Sequence, residues 1–322
     1  MRVLVTGAGG FVGKHLVAEL RSRNHEVIAT ALTSREDPHI GSLSSLPLTD
    51  YSLIKQFIEL TQPDILFHMA AQSKVMKSWQ DPSATISANT LGTIHLMQAM
   101  LEVCPDSRFI NVGSSEEYGL AGKDGKPLTE EAACLPQNPY AVSKYAAGQL
   151  VIQLAKKHRL QAIHLRPFNH FGPGQEEGFV ISDFASQIVK IEKGLISPIL
   201  KVGDLSAQRD FTYCADIIDA YVSIVEKPLP NGMYNVCSGT PRRIQDILDH
   251  LLELSNTPIE IVTDTEKWRP SEVPLFVGSS RLLELQTGWK PRTDFYEGLK
   301  ETLIWWRNKN SELTYVTVDN RH

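Results

Sequence analysis

The chain opens with MRVLVTGAGGFVG (residues 1–13), which is the strongest indication of its fold. The apolar run RVLV predicts a strand, and the pattern of Val12–Arg23 predicts a helix directly after it. Glycine permits a tight turn between the two and lets the backbone approach a bound group closely. The helix N-terminus then offers unpaired N–H groups to an anion. In this context Gly7, Gly10 and Gly13 predict a turn that binds the phosphates of a dinucleotide.

Strand-like and helix-like segments alternate through the first half of the chain. Such alternation predicts an α/β fold whose parallel sheet is doubly wound by right-handed crossovers. The pattern loosens after Pro167, which indicates a smaller, more irregular α/β unit. The predicted strands are Arg2–Val5, Glu26–Ala31, Asp64–Met69, Arg108–Val112, Gln161–Leu165, Ile199–Val202, Gly232–Val236 and Ile259–Val262. The predicted helices are Val12–Arg23, Tyr51–Thr61, Ser83–Val103, Tyr140–His158, Phe179–Lys193, Asp216–Val225, Ile244–Leu254 and Phe295–Arg307.

The composition is that of a globular protein. Of 322 residues, 42% are apolar and 21% are charged, and the formal net charge is −5. A mildly acidic chain argues against a broad nucleic-acid or anionic-membrane surface. No apolar run approaches the roughly 18–20 residues of a membrane span, and the N-terminus does not have the pattern of a signal peptide, so we expect a cytoplasmic protein. The cysteines form no CxxC and the histidines no HExxH, so we predict neither a metal site nor a disulfide framework.

The end of the second predicted strand bears on the choice of cofactor. An acidic residue usually holds the adenosine ribose hydroxyls there, but this chain has none before Glu36. Thr33, Ser34 and Arg35 stand in its place, and a guanidinium binds a phosphate well. The segment therefore favours NADP(H), with NAD(H) as the alternative, unless Arg35 is only a solvated loop charge.

A tyrosine and a lysine lie four residues apart in the predicted helix Tyr140–His158. Positions i and i+4 share a helix face, and the ammonium of Lys144 is expected to lower the pKa of the Tyr140 phenol. The phenol can then exchange a proton near neutral pH. Upstream, a predicted strand runs into Ser114 and Ser115, whose hydroxyls can hydrogen-bond a carbonyl oxygen. Together with the glycine turn, these residues indicate a site for carbonyl or alcohol chemistry.

With these motifs the chain resembles the extended short-chain dehydrogenase/reductase family, over nearly all of residues 1–310. The resemblance implies a Rossmann-type doubly wound sheet with a smaller α/β substrate domain, and action on nucleotide-activated sugars. It implies Ser114, Tyr140 and Lys144 as the catalytic triad. Further matching segments are DILFHMAAQS (64–73), NTLGT (89–93), EYG (117–119) and RPFN (166–169). The cofactor-binding residues it implies are Gly7, Gly10, Phe11, Val12, Gly13, Arg35, Leu48, Ala70, Ala71, Asn89, Tyr140 and Lys144.

The second half of the chain is similar to the GDP-sugar branch of that family. Within the branch, the likeness is greatest to enzymes that reduce the 4-keto group of GDP-4-keto-6-deoxy-D-mannose with NAD(P)H, which gives GDP-D-rhamnose. The resemblance thus implies a GDP-linked 6-deoxyhexose as the substrate. The segments that carry it are GSSEEYG (113–119), FNHFGPGQ (168–175), GFV (178–180), KVGDL (201–205), RDF (209–211) and RPSEVP (269–274).

Each of the residues predicted to contact the substrate is chosen for its own reason. A diphosphate needs a few cations, for which Arg209 and Arg269 are the candidates, although either could be a solvated surface charge. Glu272 could accept from ribose hydroxyls, and Asn169 follows a strand end, where ligands bind in such sheets. The resemblance also places Ser115, Glu116, Val180 and Val202 near the substrate, with Ser115 and Glu116 bordering the hexose and Val180 flanking the guanosine.

Other activities stay open on this fold. Glu116 occupies the place where dehydratases of the group carry an acid/base carboxylate, so a GDP-mannose 4,6-dehydratase is the main alternative. An epimerase working through a transient ketone is a second. A non-catalytic dinucleotide-sensing scaffold would be expected to lose Tyr or Lys of the triad, whereas this chain keeps both.

The long helices Ser83–Val103 and Tyr140–His158 carry apolar residues on more than one face. They could pair with their copies in a homodimer, as is common in the family, or be buried within one subunit. The family also implies a chain that crosses between domains. We expect a cofactor-binding domain of residues 1–167 with about 209–240, and a nucleotide-sugar-binding domain of 168–208 and 241–322. The segment Thr314–His322 is expected to be a tail.

Overall fold

The computed structural model describes residues 1–264 and 272–318, with side chains through Lys309. Its strands are β1 (Arg2–Thr6), β2 (Glu26–Ala31), β3 (Arg35–Asp37), β4 (Gly41–Ser45), β5 (Ile65–His68), β6 (Arg108–Val112), β7 (Gln161–Pro167), β8 (Asn169–Phe171), β9 (Ile199–Val202), β10 (Gln208–Tyr213), β11 (Gly232–Val236), β12 (Pro241–Arg243), β13 (Glu260–Thr263) and β14 (Leu275–Phe276). Its α-helices are α1 (Phe11–Ser22), α2 (Tyr51–Thr61), α3 (Val75–Gln80), α4 (Pro82–Ile86), α5 (Gly92–Val103), α6 (Pro139–His158), α7 (Val180–Glu192), α8 (Cys214–Glu226), α9 (Ile244–Glu253), α10 (Arg281–Thr287) and α11 (Phe295–Val318).

The main sheet has the strand order β11-β7-β6-β5-β1-β2-β4-β3 within the described residues. All its pairings are parallel except that of β3 with β4. The strand order reverses between β1 and β5, so their carboxyl ends open the crevice where ligands bind in such sheets. The predicted α/β fold with a doubly wound parallel sheet is confirmed.

Helices cover both faces of this sheet, so its central strands are buried on both sides. Every residue of β5 is buried, and β1 is buried from Val3 onward. One apolar cluster joins α1 and α8 to one face, and a second joins α2, α5 and α6 to the other. This double burial explains why the strands appear in the sequence as short continuous apolar runs rather than as alternating patterns.

The remaining strands form smaller sheets. Strand β10 pairs with β8 and β14 in parallel and with β12 in antiparallel fashion, and β13 pairs with β9. A third apolar cluster lies around them, from α7, α9 and α11. Residues 209–213, which we assigned to the first domain, thus lie in this smaller sheet, whereas β11 returns to the main sheet beside β7. The division into two domains stays a prediction.

The prediction of one regular helix over Ser83–Val103 is wrong, because the observed helix is interrupted by a turn of different geometry. It begins at Pro82, with Asp81 as N-cap accepting from the Ala84 N–H at 2.9 Å, and contains a π-helical turn at Ser87–Leu91. A π-turn inserts one extra residue per turn, which apolar spacing over a long helix does not reveal. Similarly, the helix predicted over Phe295–Arg307 continues to Val318, into the expected tail. Residues 319–322 lie outside the described part.

Several short elements have no clear apolar pattern and were not predicted. Strand β3 contains Arg35, which we placed after the end of the second strand, and β8 contains Asn169. Strands of two or three residues are too short for a periodicity to emerge. In residues 1–264 and 272–318, no helix has both the length and the hydrophobicity needed to span a membrane.

Candidate active site

The turn after β1 lies at the reversal point of the main sheet. Gly7 has φ +71°, a left-handed conformation that glycine adopts without strain. Gly10 is the N-cap of α1 and has no side chain to cap the helix, so the first N–H groups of α1 face the turn. A Cβ on Gly13 would overlap the carbonyl oxygen of Gly7, so the helix packs directly on the turn. Phe11 and Val12 follow at the start of α1, partly buried.

The loop after β5 lies against this turn. A Cβ on Gly7 would stand 2.7 Å from the backbone nitrogen of Ala70, and that nitrogen donates to Thr6 Oγ1 at 3.3 Å. Ala71 follows it in the chain, partly buried. The loop is held by Asn89, whose side chain accepts from the Gln72 N–H at 2.8 Å and donates to the Gln72 carbonyl at 3.0 Å.

Two further predicted cofactor residues border this region. The Arg35 guanidinium lies over the glycine turn, with Nη2 3.5 Å from the Gly9 carbonyl oxygen. The Leu48 carbonyl accepts from His95 Nδ1 at 3.0 Å, and its side chain packs on Gly92 at the start of α5. A side-chain-free helix N-terminus, a tight glycine turn and a nearby guanidinium fit a phosphorylated dinucleotide. When bound, such a dinucleotide accepts or supplies a hydride.

The catalytic candidates meet at the end of β6. Ser114 follows that strand and lies beside the phenol of Tyr140, which is near the N-terminus of α6. Asn138 caps α6 by accepting from the Ala141 N–H at 2.8 Å. The ammonium of Lys144, one turn further along α6, donates to the Val112 carbonyl at 2.7 Å. The structure thus brings Ser114, Tyr140 and Lys144 to one place.

Burial controls the protonation of the Tyr140 phenol and the Lys144 ammonium. It raises the pKa of the Tyr140 phenol well above its usual value, against the lowering effect of the nearby Ser114 side chain. The net shift of the Tyr140 pKa is therefore upward and is set by burial, and the expected lowering by Lys144 stays a prediction. Burial also lowers the pKa of Lys144 to about 8, and Glu117 opposes that change. The phenol is protonated at neutral pH, and the lysine is mostly charged.

The substrate-side residues are only partly assembled around this centre. Ser115 is buried beside Ser114, whereas Glu116 is exposed and accepts from Asn138 Nδ2 at 3.3 Å. Arg209 donates to the Val273 carbonyl at 3.0 Å; burial lowers the pKa of its guanidinium, and the charge of Glu116 raises it. Arg209 thus lies within electrostatic range of Glu116, the residue that follows Ser115. Glu272 forms an exposed ion pair with Lys123, 3.6 Å apart.

The other predicted substrate residues lie on the smaller sheets and α7. Asn169 is in β8, opposite Phe211 of β10, and partly buried. Val180 is the first residue of α7 and is partly buried. Val202 in β9 is only 3% exposed and belongs to an apolar cluster, so its side chain is a core residue. Arg269 lies outside the described residues.

A buried polar cluster lies behind the triad, and it was not predicted from the sequence. Glu117 accepts hydrogen bonds from Arg166 Nε and from the Ser114 N–H, at 2.9 and 3.0 Å, and its Oε1 lies 2.9 Å from His164 Nε2. The ring of Tyr118 lies under the guanidinium of Arg166, 4.7 Å away. The available signal was the presence of His164 and Arg166 in an otherwise apolar strand, because charged side chains there need buried partners.

Comparisons with known proteins agree with this geometry. Residues 4–302 match the sequence model of the family described as GDP-mannose 4,6 dehydratase. GDP-6-deoxy-D-mannose reductase from Pseudomonas aeruginosa is 35% identical over 97% of this chain and 99% of its own length. GDP-mannose 4,6 dehydratase 2 from Arabidopsis thaliana is 28% identical over 92% of this chain and 84% of its own length.

A solved structure shows the same fold. The structure of RMD from Pseudomonas aeruginosa complexed with NADPH superposes with a TM-score of 0.85 and is 33% identical, covering 96% of this chain and 99% of that one. The resemblance inferred from the glycine turn and the triad is therefore confirmed. The chain belongs to the GDP-mannose 4,6-dehydratase family of extended short-chain dehydrogenases/reductases.

Proposed function

We propose that this protein reduces the 4-keto group of GDP-4-keto-6-deoxy-D-mannose with NADPH and so makes GDP-D-rhamnose. The observation that carries the proposal is the placement of Ser114, a protonated Tyr140 and Lys144 together at the carboxyl end of β6, in the sheet that carries the glycine turn. The Pseudomonas relative that is named a GDP-6-deoxy-D-mannose reductase supports it over nearly the full length of both chains.

The triad has the groups that a ketone reduction needs. Addition of a hydride at carbon 4 puts negative charge on the carbonyl oxygen, and an acid must neutralise it. Tyr140 gives its phenolic proton to that oxygen, and the product is an alcohol. Ser114 donates a hydrogen bond to the same oxygen and fixes which face of the carbonyl is presented. The charged Lys144 lies on the same helix face as Tyr140 and is placed to hold the ribose next to the nicotinamide and to supply compensating positive charge.

The protonation state of Tyr140 fits the proposed reduction. Burial raises the pKa of the phenol, so the proton that a reductase has to deliver is present at neutral pH. A dehydratase or an epimerase first oxidises a sugar alcohol and uses its tyrosine as a base in that step. The observation that favours a dehydratase is Glu116, an exposed carboxylate next to the triad, in a chain whose family model is named for that activity.

The cofactor balance distinguishes the two activities. Full-length protein is incubated with NADPH and GDP-4-keto-6-deoxy-D-mannose, and the absorbance of NADPH and the sugar product are followed. A reductase consumes one NADPH for each GDP-D-rhamnose formed. A GDP-mannose 4,6-dehydratase instead converts GDP-mannose with no net change in the cofactor. Conversion of GDP-mannose without loss of NADPH, together with no turnover of the keto sugar, would overturn the proposal.

The remaining binding residues are proposed on their positions. Gly7, Gly10 and Gly13 hold the pyrophosphate and Arg35 the 2′-phosphate of NADPH, with Phe11, Val12, Leu48, Ala70, Ala71 and Asn89 around the dinucleotide. Arg209 and Arg269 bind the diphosphate of the substrate, and Ser115, Glu116, Asn169, Val180, Val202 and Glu272 surround the rest of it. Because Val202 is a core side chain, its contact with the substrate would be through the backbone. We propose NADP(H) as the preferred cofactor because the guanidinium of Arg35 overhangs the glycine turn.

We further propose that the protein is a homodimer of the cytoplasm. Leu91 of the π-turn and Val142 and Leu150 of α6 are exposed apolar side chains on adjacent helices. Met76 and Trp79 of α3 extend this surface, which we call the helical patch. Apolar patches of this kind mark interaction sites, and pairing of the patch with its copy would bury it. The four cysteines are free thiols, as is usual in a reducing compartment.

A further inference from the structure

Glu117 lies one helical turn after Ser114 and has no access to solvent. Its carboxylate accepts from the backbone N–H of Ser114 at 3.0 Å, while the Ser114 hydroxyl accepts from the Glu116 N–H at 3.2 Å. These two bonds form a capping box that fixes the main chain and the side chain of Ser114 together. Glu117 thus fixes the backbone of the serine that faces Tyr140, and the Glu116 N–H holds its hydroxyl.

The carboxylate is enclosed on every side. His164 Nε2 lies 2.9 Å from Oε1, and Arg166 Nε donates to Oε2 at 2.9 Å; both side chains are at most 1% exposed. A Cβ on Gly113 would overlap both the carboxylate and the imidazole, and a Cβ on Gly148 would overlap the imidazole. Glycine at these positions lets β6 and α6 close directly on the ion pair. The helix that carries Tyr140 and Lys144 therefore packs against the partner of Glu117.

Glu117 also acts on Lys144. Burial lowers the pKa of the Lys144 ammonium, and the carboxylate of Glu117 opposes this effect. The Lys144 ammonium is held in turn by the Val112 carbonyl, two residues before Ser114. The charged and titratable groups around the two residues are His164 and Arg166 from β7, Tyr140 from α6, His68 from β5, and Cys134 from the loop before α6.

We propose that Glu117 is a positioning residue of the proposed reductase: it orients Ser114 through the backbone N–H and supplies the buried negative charge that keeps Lys144 protonated. The kinetic consequence rests on the proposed function, whereas the bond of Glu117 to Ser114 and its charge effect on Lys144 are properties of the chain itself. An ion pair that served only for stability would need Arg166 and His164, and it would not need the bond to Ser114 or proximity to Lys144.

The proposal is tested with Glu117→Gln, which keeps the shape of the side chain and removes its charge. Lys144 should lose its proton at a pH about one unit lower than in the wild type, because the negative charge that stabilises its ammonium is gone. The readout is the pH titration of the ¹⁵N-labelled lysine ammonium of Lys144 by NMR, assigned with Lys144→Met. This measurement needs no substrate, so it stands even if the proposed function fails. An unchanged titration of Lys144 would overturn the proposal.

Kinetics separate the two roles of Glu117. Glu117→Gln should lower kcat about tenfold or more with little change in KM, and should move the alkaline limb of the kcat profile to lower pH. Glu117→Asp keeps the charge but withdraws it from the Ser114 N–H, so kcat should fall while the alkaline limb stays near its wild-type pH. Equal pH profiles for wild type and Glu117→Gln would contradict the assignment. If the wild-type chain itself does not reduce the keto sugar, the proposed function fails and the NMR result still decides the role of Glu117.

A matched control is available in another ion pair. Glu192 is 10% exposed and pairs with Arg307, away from the triad. Glu192→Gln should lower stability and leave the titration of Lys144 and the pH profile unchanged. If Glu117→Gln is too unstable to measure, combining it with Arg166→Met removes the unpaired buried cation. The same earlier deprotonation of Lys144 is expected in that double variant, and a wild-type titration there would equally overturn the proposal.

Discussion

Tyr140 is the residue whose proton the proposed reduction consumes, and burial keeps that proton on the phenol at neutral pH. Tyr140→Phe removes the acid and keeps the ring, so turnover of the keto sugar should fall about 10²- to 10⁴-fold. Binding of GDP should stay near the wild-type value, because no contact proposed for the nucleotide involves the phenol. Steady-state kinetics with NADPH and calorimetry with GDP check the two expectations. A fully active Tyr140→Phe would show that another group delivers the proton.

Arg35 is a second single residue with a testable role, in the choice between NADPH and NADH. Its guanidinium is exposed over the glycine turn, and we expect it to make charge-assisted hydrogen bonds to a 2′-phosphate, worth about 2 kcal/mol. Arg35→Ala should therefore raise the KM for NADPH by about thirtyfold and leave that for NADH nearly unchanged. NADH serves as the internal control. If both constants rise equally, Arg35 supports the turn and does not recognise the phosphate.

The elements differ in how much of them the sequence predicts. Strand β2, strand β6 and helix α2 have the predicted limits, because buried strands and amphipathic helices carry strong patterns. The π-turn at Ser87–Leu91 was not predicted, because apolar spacing does not show where one extra residue is accommodated. That turn places the side chain of Asn89 where it forms hydrogen bonds with the backbone of Gln72, in the loop after β5.

Asn89→Ala tests the π-turn as a scaffold for the cofactor loop. The buried amide bonds both backbone groups of Gln72 and also donates to Ser143 Oγ at 2.9 Å. Its loss should lower the free energy of unfolding by about 1–3 kcal/mol. It should also raise the KM for NADPH, since the loop of Ala70 and Ala71 loses its support. Denaturant titration and steady-state kinetics measure the two effects.

Thr90→Val is the matched control for that variant. The Thr90 hydroxyl is buried in the same turn and donates to the Ser143 carbonyl at 3.0 Å, without touching the loop after β5. Its replacement should lower stability and leave the KM for NADPH unchanged. An equal rise in KM in both variants would mean that the helix as a whole, and not the amide of Asn89, supports the cofactor site.

For the whole molecule, the sequence predicts the sheet and the triad better than the substrate side. The glycine turn, Ser114, Tyr140 and Lys144 occupy fixed places at the ends of parallel strands, so local motifs locate them. The partners of Glu117 come from a strand far along the chain, and only the packing of β7 beside β6 brings them together. The direction of the pKa shift at Tyr140 likewise depends on burial, which the spacing of Tyr140 and Lys144 does not report.

The helical patch predicts the oligomeric state. Leu150→Glu places a charge in the patch and should convert a dimer to a monomer, because an unpaired charge in an apolar interface is costly. Leu60→Glu is the control: Leu60 of α2 is more exposed than Leu150 but lies outside the patch. Sedimentation equilibrium of the wild type and both variants gives the masses. A wild-type monomer, or a Leu150→Glu dimer, would contradict the proposed interface.

Stability of the whole molecule should depend on pH through His68. This imidazole is fully buried between Thr6 and Thr93, and burial lowers its pKa to about 3. Below about pH 6.5 the unfolded chain binds a proton that the folded chain does not, so unfolding becomes more favourable as the pH falls. From pH 7 to pH 5 the loss from this group should be about 2 kcal/mol. Denaturant titrations should show a weaker pH dependence in His68→Gln; an identical dependence would assign the effect to other groups.

The return of β11 to the main sheet has a consequence for synthesis of the chain. Strand β7 is buried along all but its first residue, and its outer edge is paired only when Gly232–Val236 has been made. Until then the nascent protein presents an unpaired, apolar strand edge, which is a template for aggregation. A fragment that stops before β11 should accordingly collect in inclusion bodies even though it contains the whole triad. The main sheet is therefore completed only after β11 has been synthesised, and we expect the part of the chain that carries the triad to fold late in synthesis.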